Sequence, residues 1–443
     1  MKRQFETIRE SAGHPGRFGF CASVVLGLAL SGPAHANEVT DWEQVLFQAA
    51  LSAQTSPLNM ARFSAIYNSA VFDAVNGIER RFTPIYVQPK GPRSASVRAA
   101  ATMAAYTILV KLYPSQRATF DSRLVDSFAA IGDGPTAETQ AAIARGMAWG
   151  QNAADQIWDW RSNDGFTANL PPFLGGTNAG QWRPTPPALA PGAGTNFVAM
   201  SPWVLKSPSQ FRPYGPPPMG SVQYANDFNE AKIMGSASSS VRSTDQTVFS
   251  QFWNASTGPY FWNQIAVGLI LSRNLSVPES ARLLALMNLA MGDAIITCFE
   301  AKYHFSFWRP VTAIPAAAGD GNSSTDADST WLPLITTPAF PEYPSAHSTV
   351  SSAAATVLAD YFGDNTPFSV KSDVLTDVPA RAFPSFTAAL AEIKNARIFG
   401  GIHFRTACDD GQALGIQVGN YILEHAIRPA RGQRGNAEVD SVH

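Results

Sequence analysis

Residues 276–307 read as one long apolar helix, and that stretch constrains the fold more than any other. Ser276-Val277-Pro278-Glu279 is a capping box with proline in the first turn, and Leu283, Leu286, Leu289 and Ile295 carry the helix forward. Other helices flank it along the chain. Apolar residues recur at helical spacing through residues 41–76, and the Ala-rich run 94–112 is helical. Pro114 starts a helix reaching about Ile131, and residues 136–160 form another. Patterning resumes near Tyr224. Beyond position 345 come a helix that Gly363 ends, one from Ser385 to Phe399, and a last one from Asp409 or Asp410 to about Ile427. Few runs alternate strictly between apolar and polar residues. The expected class is therefore all-α, built as helical bundles.

Between residues 166 and 220 the character changes. Pro171, Pro172, Pro184, Pro186, Pro187, Pro191, Pro202 and the run at 216–218 prevent long helices there. Trp182, Phe197, Trp203, Phe211 and Tyr214 are scattered among them, more aromatics than a disordered linker carries. An ordered wrapping loop is expected, serving either as a lid or substrate wall or as a belt between two helical layers. It separates an N-terminal helical scaffold (37–165) from a helical catalytic domain (221–430), and residues 431–443 form a polar tail.

The 443 residues allow one large core or two domains of roughly 200 residues each. A net charge of −2 argues against nucleic acid or an anionic membrane as the main partner, so any anion site must be a local concentration of positive charge. Lys2, Arg3, Arg9 and Arg17 precede an apolar run at 18–30, and Ala34-His35-Ala36 offers a small-residue cleavage site. Residues 1–36 thus read as an export signal, its apolar part shorter than the ~20 residues a membrane span needs. The mature protein is expected to be soluble, secreted or periplasmic. It then keeps only Cys298 and Cys408, too few for a disulfide framework or a multi-thiolate metal site. Its apolar helix surface leaves room for a homodimer.

Three segments carry chemistry. The first is Lys302-Tyr-His-Phe-Ser-Phe-Trp-Arg309-Pro310. Seven residues are two helical turns, so both cationic heads can leave one helix face. With no carboxylate partner beside them, such cations are costly to bury unless an anion meets them; the alternative is a solvated basic stripe. The second segment is Phe340–Thr349, FPEYPSAHST, where Ser345 is a good N-cap for a helix of small residues. Helix N-termini favour oxyanions, and His347 in that first turn could exchange protons with one; an ordinary capped helix with a surface histidine is the alternative. The third is Arg397-Ile-Phe-Gly-Gly-Ile-His403. Six residues would place Arg397 and His403 on different faces of one helix, but Gly400-Gly401 lets the backbone turn back. Arginine forks match tetrahedral oxyanions, lysine adds a point charge, and a histidine beside them can act as nucleophile or metal ligand.

The order Lys-x6-Arg-Pro, Pro-Ser-x-His, Arg-x5-His resembles the superfamily joining vanadium-dependent haloperoxidases with type-2 phosphatidic acid phosphatases. With its N-terminal helices and Pro-rich loop, the chain looks like the secreted bacterial haloperoxidase-like branch. The resemblance implies vanadate as cofactor, with phosphate as its structural mimic. It also implies that Lys302, Arg309 and Arg397 neutralise the oxyanion, that Ser345 and the Ala346 backbone N–H donate to it, and that His403 ligates vanadium. His347 would be the acid–base group, and Phe340 would stand beside the halide site. Position 346 is usually glycine and position 396 often serine in this superfamily, so Ala346 and Ala396 bear on affinity and rate. The implied activity is oxidation of halide by hydrogen peroxide to hypohalous acid, which halogenates a small organic acceptor. An exported acid phosphatase working through phospho-His403 is the alternative, and a non-catalytic oxyanion-binding protein the third.

Two smaller expectations concern neighbours of the motifs. Cys298 lies four residues before Lys302 and Cys408 five after His403, so convergence on one anion would make them near neighbours and a disulfide is expected. His304, two residues past Lys302, points away from the site and is expected to pack in an aromatic cluster.

Overall fold

A computed structural model describes residues 37–88 and 90–430. The export signal read at 1–36 and the tail at 431–443 lie outside the described residues. Helix α1 (Glu38–Ser52) is opened by Asn37, whose side chain accepts from Val39 N and Thr40 N. The helix expected over 41–76 is two helices. α1 stops at Ser52, and Ser56 caps a new start with proline at the first position of α2 (Pro57–Glu79). α3 (Val97–Leu112) follows. Pro114 starts only a 3-10 turn, from which α4 (Arg117–Gly132) continues, and Thr139 caps α5 (Gln140–Ser162).

The Pro-rich stretch is ordered, with one 3-10 turn at Thr195–Ala199. Trp182, Phe197 and Trp203 are buried and Phe211 is half-buried against Tyr421, whereas Tyr214 is fully exposed. Backbone bonds tie the stretch to the long helix: Trp182 N donates to Ser306 O and Trp308 N to Gly180 O. Buried Asp293 accepts from Trp203 N, Val204 N and Leu205 N. That carboxylate satisfies three donors the prolines leave without a helical partner.

α6 (Val222–Met234), α7 (Thr244–Ala255) and α8 (Gly258–Ser272) lead to α9 (Val277–Phe305), the axis of the molecule. α9 is long and apolar enough to cross a membrane, but it is buried among α2, α11 and α13. It ends earlier than the sequence suggests, at Ser306 with φ +48°. Arg309 is extended and precedes the short α10 (Pro310–Ala313). Lys302 and Arg309 therefore do not share a helix face. Pro310 disfavours helical geometry in the residue before it, which puts Arg309 outside both helices.

α11 (Ala346–Phe362) is capped by Ser345 and closed by Gly363. A short antiparallel pair that the sequence pattern missed follows, β1 (Phe368–Val370) and β2 (Arg381–Phe383), with Phe368 opposite Phe383. Three residues are too few for alternation to show. Ser385 caps α12 (Phe386–Phe399). α13 (Arg405–His425) starts before the expected aspartates, without a cap from its own N-cap side chain. Its first amides are served from afar, Phe404 N by Glu342 and Thr406 N by Asp227 of α6. No local signal marks such a start.

Candidate active site

The site forms where α9, the approach to α11 and the α12–α13 turn meet. Lys302 is buried in the last turn of α9, and its three N–H groups go to the carbonyls of Pro341 (2.9 Å), Glu342 (2.9 Å) and Pro344 (2.5 Å). It thereby fastens the FPEYPSAHST segment while placing a charge beneath it. Arg309 donates from Nε to Phe340 O at 3.0 Å and from Nη1 to Ile402 O at 2.7 Å. The Phe340 ring lies 5.1 Å from Lys302 Nζ and 5.0 Å from the Arg309 guanidinium, a double cation–π contact.

Arg397 and His403 are brought together by the glycine pair. Gly401 has φ +76°, and a Cβ there would lie 2.4 Å from Gly235 O, so only glycine allows this turn. His403 Nδ1 is 2.8 Å from Glu342 Oε1, and the carboxylate oxygen also accepts from Phe404 N. A carboxylate on Nδ1 assigns the proton there and leaves the Nε2 lone pair to accept from Arg309 Nη1 at 3.1 Å. Arg397 Nη2 donates to Asn254 Oδ1 at 3.2 Å. His347, half-buried in the first turn of α11, has its ring against the backbone of Trp253.

Charge is concentrated here against the cost of burial. Burial pushes Lys302 down to about 7, and Arg309 and Arg397 each down to about 10. Both imidazoles are held well below the usual histidine range, by burial first and then by the cations. Lys302 and Arg309 share one carboxylate neighbour, Glu342, which burial raises to about 7. The polar atoms left over point the same way. Arg309 Nη2, Arg397 Nε and Nη1, and His347 Nε2 are buried with no hydrogen-bond partner among the described residues. Unpaired guanidinium donors with excess positive charge are costly to bury, and a tetrahedral oxyanion is the group that satisfies them. The donor set fits vanadate or phosphate.

A cavity of about 560 Å³ opens in front of His347, Arg397 and Phe340. Its walls include the start of α2, the Pro-rich stretch at Gly194 and Phe197, and the α7–α8 link from Asn254 to Pro259. The Pro-rich stretch is thus both belt and wall.

The structure brings together all eight residues singled out in the sequence. Ser345 is fully buried and its Oγ caps α11. Ala346 lines the cavity, while Ala396 packs in the core. Three expectations need correction. The cations do have a carboxylate neighbour, Glu342, which lies inside the second motif. Cys298 and Cys408 are both free. Each thiol is spent on the turn that opens α11, Cys298 Sγ on Pro344 O at 3.6 Å and Cys408 on the hydroxyls of Ser345 and Ser348. His304 is exposed, edge-on to Phe305 at 4.8 Å. Asn254 and Trp253 were also missed, because α7 carries no motif that marks them.

Comparison with known proteins points to one group. A family model described as the VCPO second helical-bundle domain matches residues 282–432. Vanadium chloroperoxidase of Curvularia inaequalis is 27% identical over 189 residues, covering 35% of this chain and 30% of that protein. The chain thus matches less than a third of that relative's length. The crystal structure of a bacterial vanadium-dependent iodoperoxidase aligns with a TM-score of 0.77 at 26% identity, covering 89% of this chain and 97% of the other. A holo-type bacterial vanadium-dependent chloroperoxidase shares the fold, with a TM-score of 0.66 at 19% identity over 83% of this chain and 92% of that one.

Proposed function

This chain belongs to the superfamily that joins vanadium-dependent haloperoxidases with type-2 phosphatidic acid phosphatases, and from that premise we propose that it oxidises halide with hydrogen peroxide in a vanadate-dependent reaction. One observation carries the reading: the unpartnered buried donors of Arg309 and Arg397 and the unpartnered His347 Nε2 belong to one cluster with His403, whose Nδ1 is on Glu342. Vanadate held there supplies a Lewis acid that activates peroxide at constant oxidation state.

The roles of the residues follow from their geometry. His403 Nε2 would hold the vanadium. Arg309 and Arg397 would donate to the oxyanion, while Lys302, its N–H groups spent on three carbonyls, would contribute positive charge from beneath. Ser345 Oγ and the Ala346 N–H add donors at the α11 N-terminus. His347 lines the cavity and would exchange a proton with the reacting oxygen, starting as a neutral base because burial and the cations keep its ring unprotonated. Phe340 seats the halide against the two cations. The product is hypohalous acid or its equivalent, passed to a small organic acceptor. Export through the segment at 1–36 would place this chemistry outside the cytoplasm.

Purified protein given vanadate, peroxide and iodide is expected to form triiodide, with none above background when vanadate is omitted. No halide oxidation at saturating vanadate, together with phosphomonoester hydrolysis that vanadate inhibits, would overturn the proposal.

A further inference from the structure

The cavity in front of His347 is far larger than the inorganic reaction requires. Peroxide and a halide ion are each of the order of a water molecule, whose share of liquid volume is about 30 Å³. The cavity measures about 560 Å³, within the range of pockets that enclose organic ligands. Its walls are mostly hydrocarbon, from Leu58, Phe197, Ile295, Phe340 and Val350. His347 and Arg397 enter it, with the Asn254 amide on Arg397, and Ser56, Asn59, Asn196, Ser256 and Thr257 are its other polar side chains. Apolar walls with a few convergent polar groups are what an organic ligand needs, and a channel for ions needs neither.

The walls are also built closely. Gly194 has φ +75°, and a Cβ there would fall 2.6 Å from Leu58 Cδ1 and 2.7 Å from Phe299 Cε1. The Pro-rich stretch is therefore pressed against α2 and α9 as tightly as backbone allows, which gives that side of the cavity a fixed shape.

We propose that this cavity binds the organic acceptor, an electron-rich aromatic compound bearing one hydrogen-bonding group, so that halogen transfer takes place inside the protein. The inference rests on the haloperoxidase reading above and names the acceptor that site uses. The stoichiometry balances without a further reagent. Halide loses two electrons to the O–O bond of peroxide, a carbon–halogen bond forms as the ring C–H bond breaks, and halide, peroxide, one proton and the arene give haloarene and two waters. Leu58 and Phe197 face the ring, and Asn254 meets its hydroxyl, which fixes the carbon presented toward His347.

The test uses the vanadate-loaded full chain with 1-naphthol as probe. The ratio of ring positions brominated by enzyme, bromide and peroxide is compared with the ratio given by added hypobromite. The two are expected to differ by about tenfold, the discrimination a hydrophobic pocket gives for a single methylene. Saturation-transfer NMR without peroxide is expected to show 1-naphthol bound to the wild type, and the signal to be lost in Leu58→Trp. An iodide-only assay separates the two readings. Triiodide formation with the hypobromite ratio and no naphthol contact by NMR overturns this inference and leaves the haloperoxidase reading standing. Absence of triiodide at saturating vanadate overturns both.

Discussion

His403 and His347 are both held neutral by burial and by the same three cations, yet their geometry assigns them different work. His403 has Nδ1 on Glu342, whereas His347 lines the cavity and its Nε2 is left without a partner among the described residues. His403→Ala is therefore expected to abolish vanadate binding in a calorimetric titration. His347→Ala is expected to keep binding and lose about 10²–10⁴-fold in kcat, the range of a general acid–base group. Glu342→Gln tests the support of the ligand: losing the carboxylate on Nδ1 is expected to weaken vanadate binding about 10–100-fold. An unchanged affinity would reduce Glu342 to a structural partner of Phe404 N. At this scale the sequence was informative about which charges meet but not about how they are held. Glu342 stands within the motif, yet reading the cations along one helix gave it no place beside them. Asn254 reaches Arg397 from 143 positions away, a relation no spacing could encode.

Elements position these residues through a few backbone decisions. The turn from α12 to α13 depends on Gly401, where any Cβ meets the Gly235 carbonyl in a left-handed conformation. Gly401→Ala is expected to cost about 1–3 kcal/mol in denaturant unfolding and to weaken vanadate binding, because His403 lies two residues on. The glycine pair was legible as a break. Helix ends were less so, since α13 takes its capping from Asp227 and Glu342, and α9 stops at a left-handed Ser306 before Arg309 turns out ahead of Pro310. Helix α1 offers a separate test. Glu43 is buried beside Asn68 and Tyr67 of α2, and burial raises its carboxyl to about 8 from 4.5. In that window the native state holds a proton that the unfolded chain releases, so stability falls as pH rises from about 4.5 to about 8. Glu43→Gln is expected to flatten this slope, with its melting temperature gaining on the wild type between pH 5 and pH 8. Parallel curves would mean the carboxyl is not held protonated.

Across the whole molecule, an apolar helix used as an axis lets distant segments deliver charge to one point. α9 carries Lys302, α2 and the Pro-rich stretch wall the cavity, and α11 presents its N-terminus between α9 and α13. The all-α class and the bundle were readable from helical spacing. The cavity was not, because its walls come from stretches with no shared pattern, joined only by packing. A scaffold that buries unpaired cations should be stabilised by the anion they await: vanadate at about 100 times its Kd is expected to add about 2.7 kcal/mol to unfolding free energy. The central claim, that Lys302, Arg309, Arg397, His347 and His403 surround one tetrahedral guest, is tested most directly by a crystal structure of the protein soaked in orthovanadate. One vanadate per chain, bonded to His403 Nε2 and contacted by Arg309 and Arg397, is the predicted result. Vanadate bound elsewhere, or a saturating soak with Arg309 still closed on His403 Nε2, would contradict it.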